Sequence, residues 1–181
     1  MIKSLSILVS ILLFIGQLGS AKEDKMMEIS QNPKNWQFFT DQVMGGVSKG
    51  KIDFLIEENL KFARLAGYVS TENNGGFIQI RTKITNLKKS ISGVGLKVRG
   101  NGENYYVFIR TTGTFLPWQY YGSAFPTTEK WKTIKLPLNE FSRSGALMRR
   151  NIVPTAIRSL GIVAYGKDHE AFIDVAEVFF Y

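Results

Sequence analysis

The chain has no cysteine and a single histidine among its 181 residues. Without thiols there are no disulfides, no thiolate metal sites, no cysteine nucleophile and no lipid attachment through an N-terminal cysteine. With His169 alone, most catalytic triads and all multi-histidine metal centres lose a required member. Enzymatic chemistry therefore starts with few candidates, and neither a cofactor nor a metal site is expected. Acids are in deficit too: 15 Asp and Glu stand against 23 Lys and Arg, a formal charge of +8. That balance suits an anionic counterpart, whether nucleic acid, lipid or an acidic protein surface, without choosing among them. Long apolar runs are also missing. Leu5 to Ile15 is the best candidate, and it falls short of the roughly 18 residues that a spanning helix needs.

That short run follows Lys3 and precedes "GQLGSA", a basic start and a small-residue end. Residues 1–21 thus read as a secretory signal cleaved after Ala21, which predicts an exported, periplasmic or extracellular protein. "KEDKMMEISQNP" continues as a polar lead-in over residues 22–35. Residues 36–181 are long enough for a single domain with one substantial core. Helical periodicity is scarce there, and "PLNEF", around Leu138 to Phe141, offers one turn at most.

Short β-like runs dominate instead, separated by turn formers such as "ENNGG", "RGNGEN" and "AFPTTEK". Ile78, Ile80, Thr82 and Ile84 fall on one side of a strand, and Phe77, Gln79, Arg81 and Lys83 on the other. Val94, Leu96 and Val98 likewise oppose Gly95, Lys97 and Arg99. Strands with one apolar and one polar side belong to antiparallel sheets packed face to face, so the pattern predicts an all-β antiparallel sandwich of about eight or more strands with little helix. A jelly roll is one member of that class and an immunoglobulin-like sandwich another, and the pattern does not separate them.

Several stretches invite a chemical reading. "VMGGVSKGKI" nearly matches a phosphate-binding loop, but Ile52 stands where a Ser or Thr hydroxyl would bind the metal, and Lys51 opens a strand, not a helix. A tight turn with Gly45 and Gly46 at positive φ is the simpler account. "ENNGGF" repeats the choice, and its Asn-Gly step is a strong turn signal. Asp168, His169 and Glu170 are the only compact group joining a histidine to two carboxylates, yet neighbours on a strand point to opposite sides. "PWQYYGSAF" puts Trp118, Tyr120 and Tyr121 close together, rings that serve either as core or as platforms for sugars. By alternation, Gln79, Arg81, Arg99, Tyr106, Arg110, Trp118 and Tyr120 are candidates for a ligand face. Arg143, Arg149 and Arg150, with Lys88, Lys89, Lys130 and Lys132, read first as solvated surface. No nucleic-acid-binding motif is evident.

Taken in order, "TDQVMGGVS" after Trp36, "ENNGGF", "RGNGENYY", "WKTIKLPL", "SLGIVAYG" and "AFIDVAEV" resemble the complex I intermediate-associated protein 30 family. The resemblance runs from Trp36 to the C terminus and is carried most specifically by "VMGGVS" with "NNGGF". Asn101 departs from it, standing where many members have Asp. The resemblance implies a galactose-binding-domain-like jelly roll. It also implies kinship with a mitochondrial assembly factor that binds intermediates of respiratory complex I. The family motif residues are Asp41, Met44, Gly45, Gly46, Ser48, Asn73, Asn74, Gly75, Gly76 and Phe77. Their glycines are expected to let the two loops pack closely near Trp36.

The leading functional expectation is a non-catalytic binding protein that engages a protein partner as an assembly or chaperone-like factor. The alternative is a carbohydrate-binding module of the cell envelope, with an anionic surface as a further class of counterpart.

Overall fold

Eleven strands make up two antiparallel sheets in a computed structural model that describes residues 32–181. The expected signal and most of the polar lead-in lie outside the described residues. One sheet contains β1 (Trp36–Thr40), β4 (Phe77–Lys83), β10 (Ile157–Tyr165), β6 (Asn104–Thr111), β7 (Tyr121–Pro126) and β9 (Ser142–Arg143), in that spatial order. The other contains β2 (Lys49–Glu57), β3 (Leu60–Val69), β11 (His169–Phe180), β5 (Gly93–Gly100) and β8 (Lys132–Pro137). This is the antiparallel sandwich that the alternation predicts, in the jelly-roll form that the family resemblance implies.

The inner faces follow from the period of two. Ile78, Ile80, Val94, Leu96, Val107, Ile109, Leu160, Ile162, Ile173 and Val175 are fully inaccessible. Each such side chain contributes about 1.5–3 kcal/mol through burial, which is how a disulfide-free sandwich holds together. Lys51 sits inside β2, paired with Ala66, so "VMGGVSKGKI" runs into a hairpin. The hairpin closes on Glu58 and Asn59 at φ 48° and 67°, the two left-handed residues that a tight two-residue turn requires. "PLNEF" forms a single 3-10 turn, Leu138–Glu140.

The outer face of the five-stranded sheet is closed by its own charges. Asp53, Arg64, Asp174 and Arg99 are successive cross-strand neighbours on β2, β3, β11 and β5, alternating in sign across the sheet. Arg64 grips the Asp174 carboxylate with two bonds, Nε to Oδ1 at 2.7 Å and Nη2 to Oδ2 at 2.9 Å. Arg99 donates from Nε to Oδ2 of the same carboxylate at 2.8 Å and pairs through Nη1 and Nη2 with Glu57. Aromatic rings cover both guanidiniums: Phe172 lies 4.5 Å from Arg64 and Trp131 4.7 Å from Arg99. Arg99 is thereby removed from the ligand face to which alternation assigns it. Alternation tells which side of its own sheet a residue takes, and Arg99 belongs to the other sheet.

Candidate functional site

The open face of the six-stranded sheet carries a groove of about 720 Å³. Its floor comes from the outward residues of β4, β10 and β6, three interior strands. The register aligns Arg81 with Gly161, and Gly161 with Phe108, so a residue without a side chain separates a guanidinium from a ring. A Cβ at Gly161 would stand 3.0 Å from the Gln79 amide oxygen, so this glycine leaves Gln79 its place on the floor.

Aromatic rings form one wall. Phe108 and Tyr120 stack at 3.8 Å with planes 15° apart, and Tyr165 meets both edge-on. Burial, together with the Tyr165 hydroxyl, pushes the Tyr120 phenol well above its ordinary range, which keeps it a neutral donor. Trp118 extends the wall on the 112–119 loop and is 62% exposed. That loop is held by Arg110, whose Nη2 donates to the Leu116 carbonyl at 2.9 Å, and by Gln119, whose Oε1 accepts from the Phe115 and Leu116 amides.

The opposite rim is built by the two glycine loops. Val43, Met44, Asn74, Gly75 and Phe77 line it, and beneath them lies Asp41, a carboxylate with no exposed surface. Asp41 opens a short 3-10 turn, Asp41–Met44, that ends at Gly45 with φ +89°. Its Oδ1 accepts from the Ser48 amide at 2.9 Å. Its Oδ2 accepts from the Ser48 hydroxyl, from the Gly76 amide at 2.6 Å and from the Phe77 amide at 3.3 Å. Burial alone would raise this carboxyl, but the donors from Gly76, Ser48 and Phe77 together outweigh it and hold it below its ordinary range. The Ser48 hydroxyl in turn accepts from the Ser70 amide at 2.9 Å, reaching the end of β3 in the other sheet.

This clasp explains the glycines differently from a turn rule. Gly45 does need positive φ, but Gly46 does not. A Cβ on Gly46 would lie 2.3 Å from the Asp41 carboxyl carbon, and one on Gly75 would lie 2.4 Å from Oδ2. Both are glycine because a carboxylate occupies the side-chain space. Gly46→Ala is accordingly expected to lower stability by about 1–3 kcal/mol, read as a drop in denaturant midpoint at unchanged slope. The loops do pack together as expected, but not near Trp36. Trp36 pairs with Thr82 at the far end of β1, whereas Thr40, beside the clasp, pairs with Ile78.

The structure thus brings Gln79, Arg81, Arg110, Trp118 and Tyr120 to one groove, together with Met44, Asn74, Gly75 and Phe77 from the motif loops. Tyr106 points to the same side but stands beside the groove, edge-on to Tyr165 at 5.7 Å. Asn73 sits exposed on the loop tip at φ 55°. Phe39, Val43, Phe108, Pro117, Gln119 and Tyr165 are lining residues that the sequence reading leaves out. Phe108 and Tyr165 carry a usable signal, since each alternates with residues that prove to be inner.

The Asp168, His169 and Glu170 cluster does not converge. Asp168 accepts from the amide and hydroxyl of Thr71, both at 2.7 Å. His169 is buried, with Nδ1 2.8 Å from the Lys167 carbonyl and Nε2 without a partner among the described residues, while Glu170 is exposed. A carbonyl only accepts, so Nδ1 carries the proton. Among the described residues no three His, Cys, Asp or Glu side chains gather in a way that would hold a metal ion.

The fold is shared with carbohydrate-binding modules. A family 11 carbohydrate-binding module from Clostridium thermocellum, in complex with a β-1,3-1,4-mixed-linked tetrasaccharide, superposes with a TM-score of 0.72 at 12% identity, covering 87% of this chain and 94% of the module. The family 11 module of the C. thermocellum cellulosomal cellulase Lic26A-Cel5E gives 0.71 at 12% identity, covering 89% and 95%. A family 30 module of the C. thermocellum cellulosomal cellulase Cel9D-Cel44B gives 0.56 at 10% identity, covering 81% and 91%. At such identities the likeness is one of fold. Among curated proteins none matches the chain in sequence. The sequence pattern that matches is that of complex I intermediate-associated protein 30, over residues 26–173. By that match across most of its length, the chain belongs to the complex I intermediate-associated protein 30 family.

Proposed function

We propose that this chain is a non-catalytic binding protein and that the groove over β4, β10 and β6 holds its ligand, a carbohydrate chain. The observation that carries this is the pairing of a stacked ring wall with planar polar groups that have hydrogen-bonding capacity to spare. Phe108, Tyr120 and Trp118 offer flat apolar faces, while the Gln79 amide and the Arg81 guanidinium make no hydrogen bond to the protein among the described residues. Because the floor strands are each paired on both sides, the groove cannot recognise a ligand by adding a strand, and recognition falls to side chains. Rings against the apolar face of a sugar, with amide and guanidinium groups against its hydroxyls, suit that arrangement. Among the described residues the groove lining includes no carboxylate, imidazole or thiol, which supports binding without turnover.

A second reading has its own support. Family membership favours a protein partner engaged in assembly, and the rim exposes Val43 at 70% and Met44 at 57%, with Trp118 opposite. Met, Trp, Tyr and Arg are the residues enriched where proteins meet. A glycan array with wild type and Trp118→Ala separates the two. On the carbohydrate reading the substitution is expected to weaken binding about tenfold, the loss of ~1–2 kcal/mol of ring contact. A blank array, with crosslinking recovering one enriched protein from the native envelope, would instead establish the protein partner.

A further inference from the structure

The charge of the groove narrows the ligand further. Two arginines, Arg81 and Arg110, line it, and among the described residues no Asp or Glu does. The other partly buried arginines are answered by acids: Arg64 and Arg99 share Asp174, and Arg99 adds Glu57, whereas Arg143, Arg149, Arg150 and Arg158 are exposed to solvent. Among the described residues Arg110 is engaged only by the neutral Thr114 and Leu116 carbonyls. Arg81 is engaged, among the described residues, only by a ring, its guanidinium 4.3 Å from the centre of Phe39. The carboxylate beneath the rim does not answer them, since the oxygens of Asp41 are taken by donors from Ser48, Gly76 and Phe77. Partial burial and the nearby Arg110 charge both lower the Arg81 pKa from its ordinary value, and the guanidinium remains a cation at neutral pH. A half-buried planar cation with no acid beside it can donate to the hydroxyls of a neutral ligand, yet it keeps a charge that such a ligand does not answer. It matches a carboxylate or sulfate, which a guanidinium grips with two parallel bonds.

We infer that the groove selects an anionic polysaccharide, one whose sugars carry carboxylate or sulfate groups, with Arg81 reading the charge and the Phe108, Tyr120 and Trp118 rings reading the sugar face. This rests on the carbohydrate reading above and deepens it. The aromatic wall alone would accept neutral and acidic chains alike, and Arg81 makes the difference between them.

The test is titration calorimetry of the full chain with four kinds of probe. These are uronate oligosaccharides (galacturonate, mannuronate and guluronate oligomers), the same oligomers as methyl esters, sulfated galactan oligosaccharides, and poly-glutamate. A bound uronate is expected to lose at least tenfold in affinity on esterification, which removes the charge and keeps the backbone. It should also lose several-fold as salt rises from about 50 to 500 mM. Arg81→Gln should cost at least tenfold toward the acid and leave the ester unchanged. Lys51→Gln, which removes one positive charge from the opposite sheet, should change neither. Binding confined to the sulfated chains keeps the inference and names sulfate as the group. Equal or tighter binding of the neutral esters, or an Arg81→Gln effect matched by Lys51→Gln, overturns the inference while the carbohydrate reading stands. Poly-glutamate binding with every glycan silent, or no binding at all, overturns both.

Discussion

Replacing Asp174 by alanine is expected to lower the unfolding free energy by about 3–5 kcal/mol, a large effect for a single substitution. The carboxylate has no exposed surface and accepts three charged bonds from two guanidiniums, each itself mostly covered. Arg64 is held charged chiefly by its bond to Asp174, and Arg99 chiefly by its bond to Glu57 with Asp174 behind it. Taking the acid away leaves two positive charges facing each other across β11, under Phe62, Trp131 and Phe172. The cost comes from stranding those cations more than from losing attraction. It follows that replacing Arg64, Asp174 and Arg99 together by apolar residues of similar size should cost far less than Asp174→Ala alone. Chemical denaturation of the single and triple variants checks both statements. A triple variant as unstable as the single one would mean that attraction within the network, and not stranded charge, sets the cost. Because this face lies in the sheet away from the groove, a folded Arg99→Met protein should bind its ligand as wild type does.

Asp41→Ala should cost about 3–4 kcal/mol, since it strips the acceptor from the buried Ser48 and Gly76 amides and from the Ser48 hydroxyl. It should also weaken groove binding, because Phe77 on the rim and Gly76 beside it are held through their amides by that carboxylate. Asp41→Asn keeps the shape but turns one acceptor into a donor facing donors, and should recover only part of the loss. The pH dependence has a definite sign. The folded-state pKa of Asp41 is lowered, so its contribution is fully present above the unfolded carboxyl value near 3.8 and disappears as pH falls through the lower, folded value. Wild-type stability should therefore decline more steeply than that of Asp41→Asn on acidification below about pH 4. Parallel curves for the two proteins would remove Asp41 as the source.

Both sites show why the fold is more legible in the sequence than the groove. The alternation of Ile78, Ile80 and Thr82 against Phe77, Gln79 and Arg81 is a local signal, and the sandwich uses it unchanged. Which sheet a strand joins is not local, and alternation misplaces Arg99 for that reason alone. The groove assembles β1, β4, β6 and β10 from residues as distant as Phe39 and Tyr165, and no spacing in the chain records their meeting. The glycine pairs are visible, but their cause is not. Gly46 and Gly75 are small because Asp41 fills the space beside them, a contact that becomes visible only when two loops about thirty residues apart are folded together.

The clasp has one more consequence, for how the molecule breathes. At the end where Asp41 lies, polar bonds tie sheet to sheet and loop to loop. Ser48 joins Ser70, Thr71 joins Asp168, Gly166 joins Gly76, and the Tyr105 hydroxyl on β6 accepts the Phe172 amide of β11. At the other end the sandwich is plugged by apolar side chains on connecting segments, Ile84, Ile91, Met148 and Ile152. Directional bonds resist sliding, whereas apolar contacts slip past one another at little cost until they separate. Slow amide exchange should thus be concentrated at the stitched end, with the sheets shearing and parting first at the plugged one.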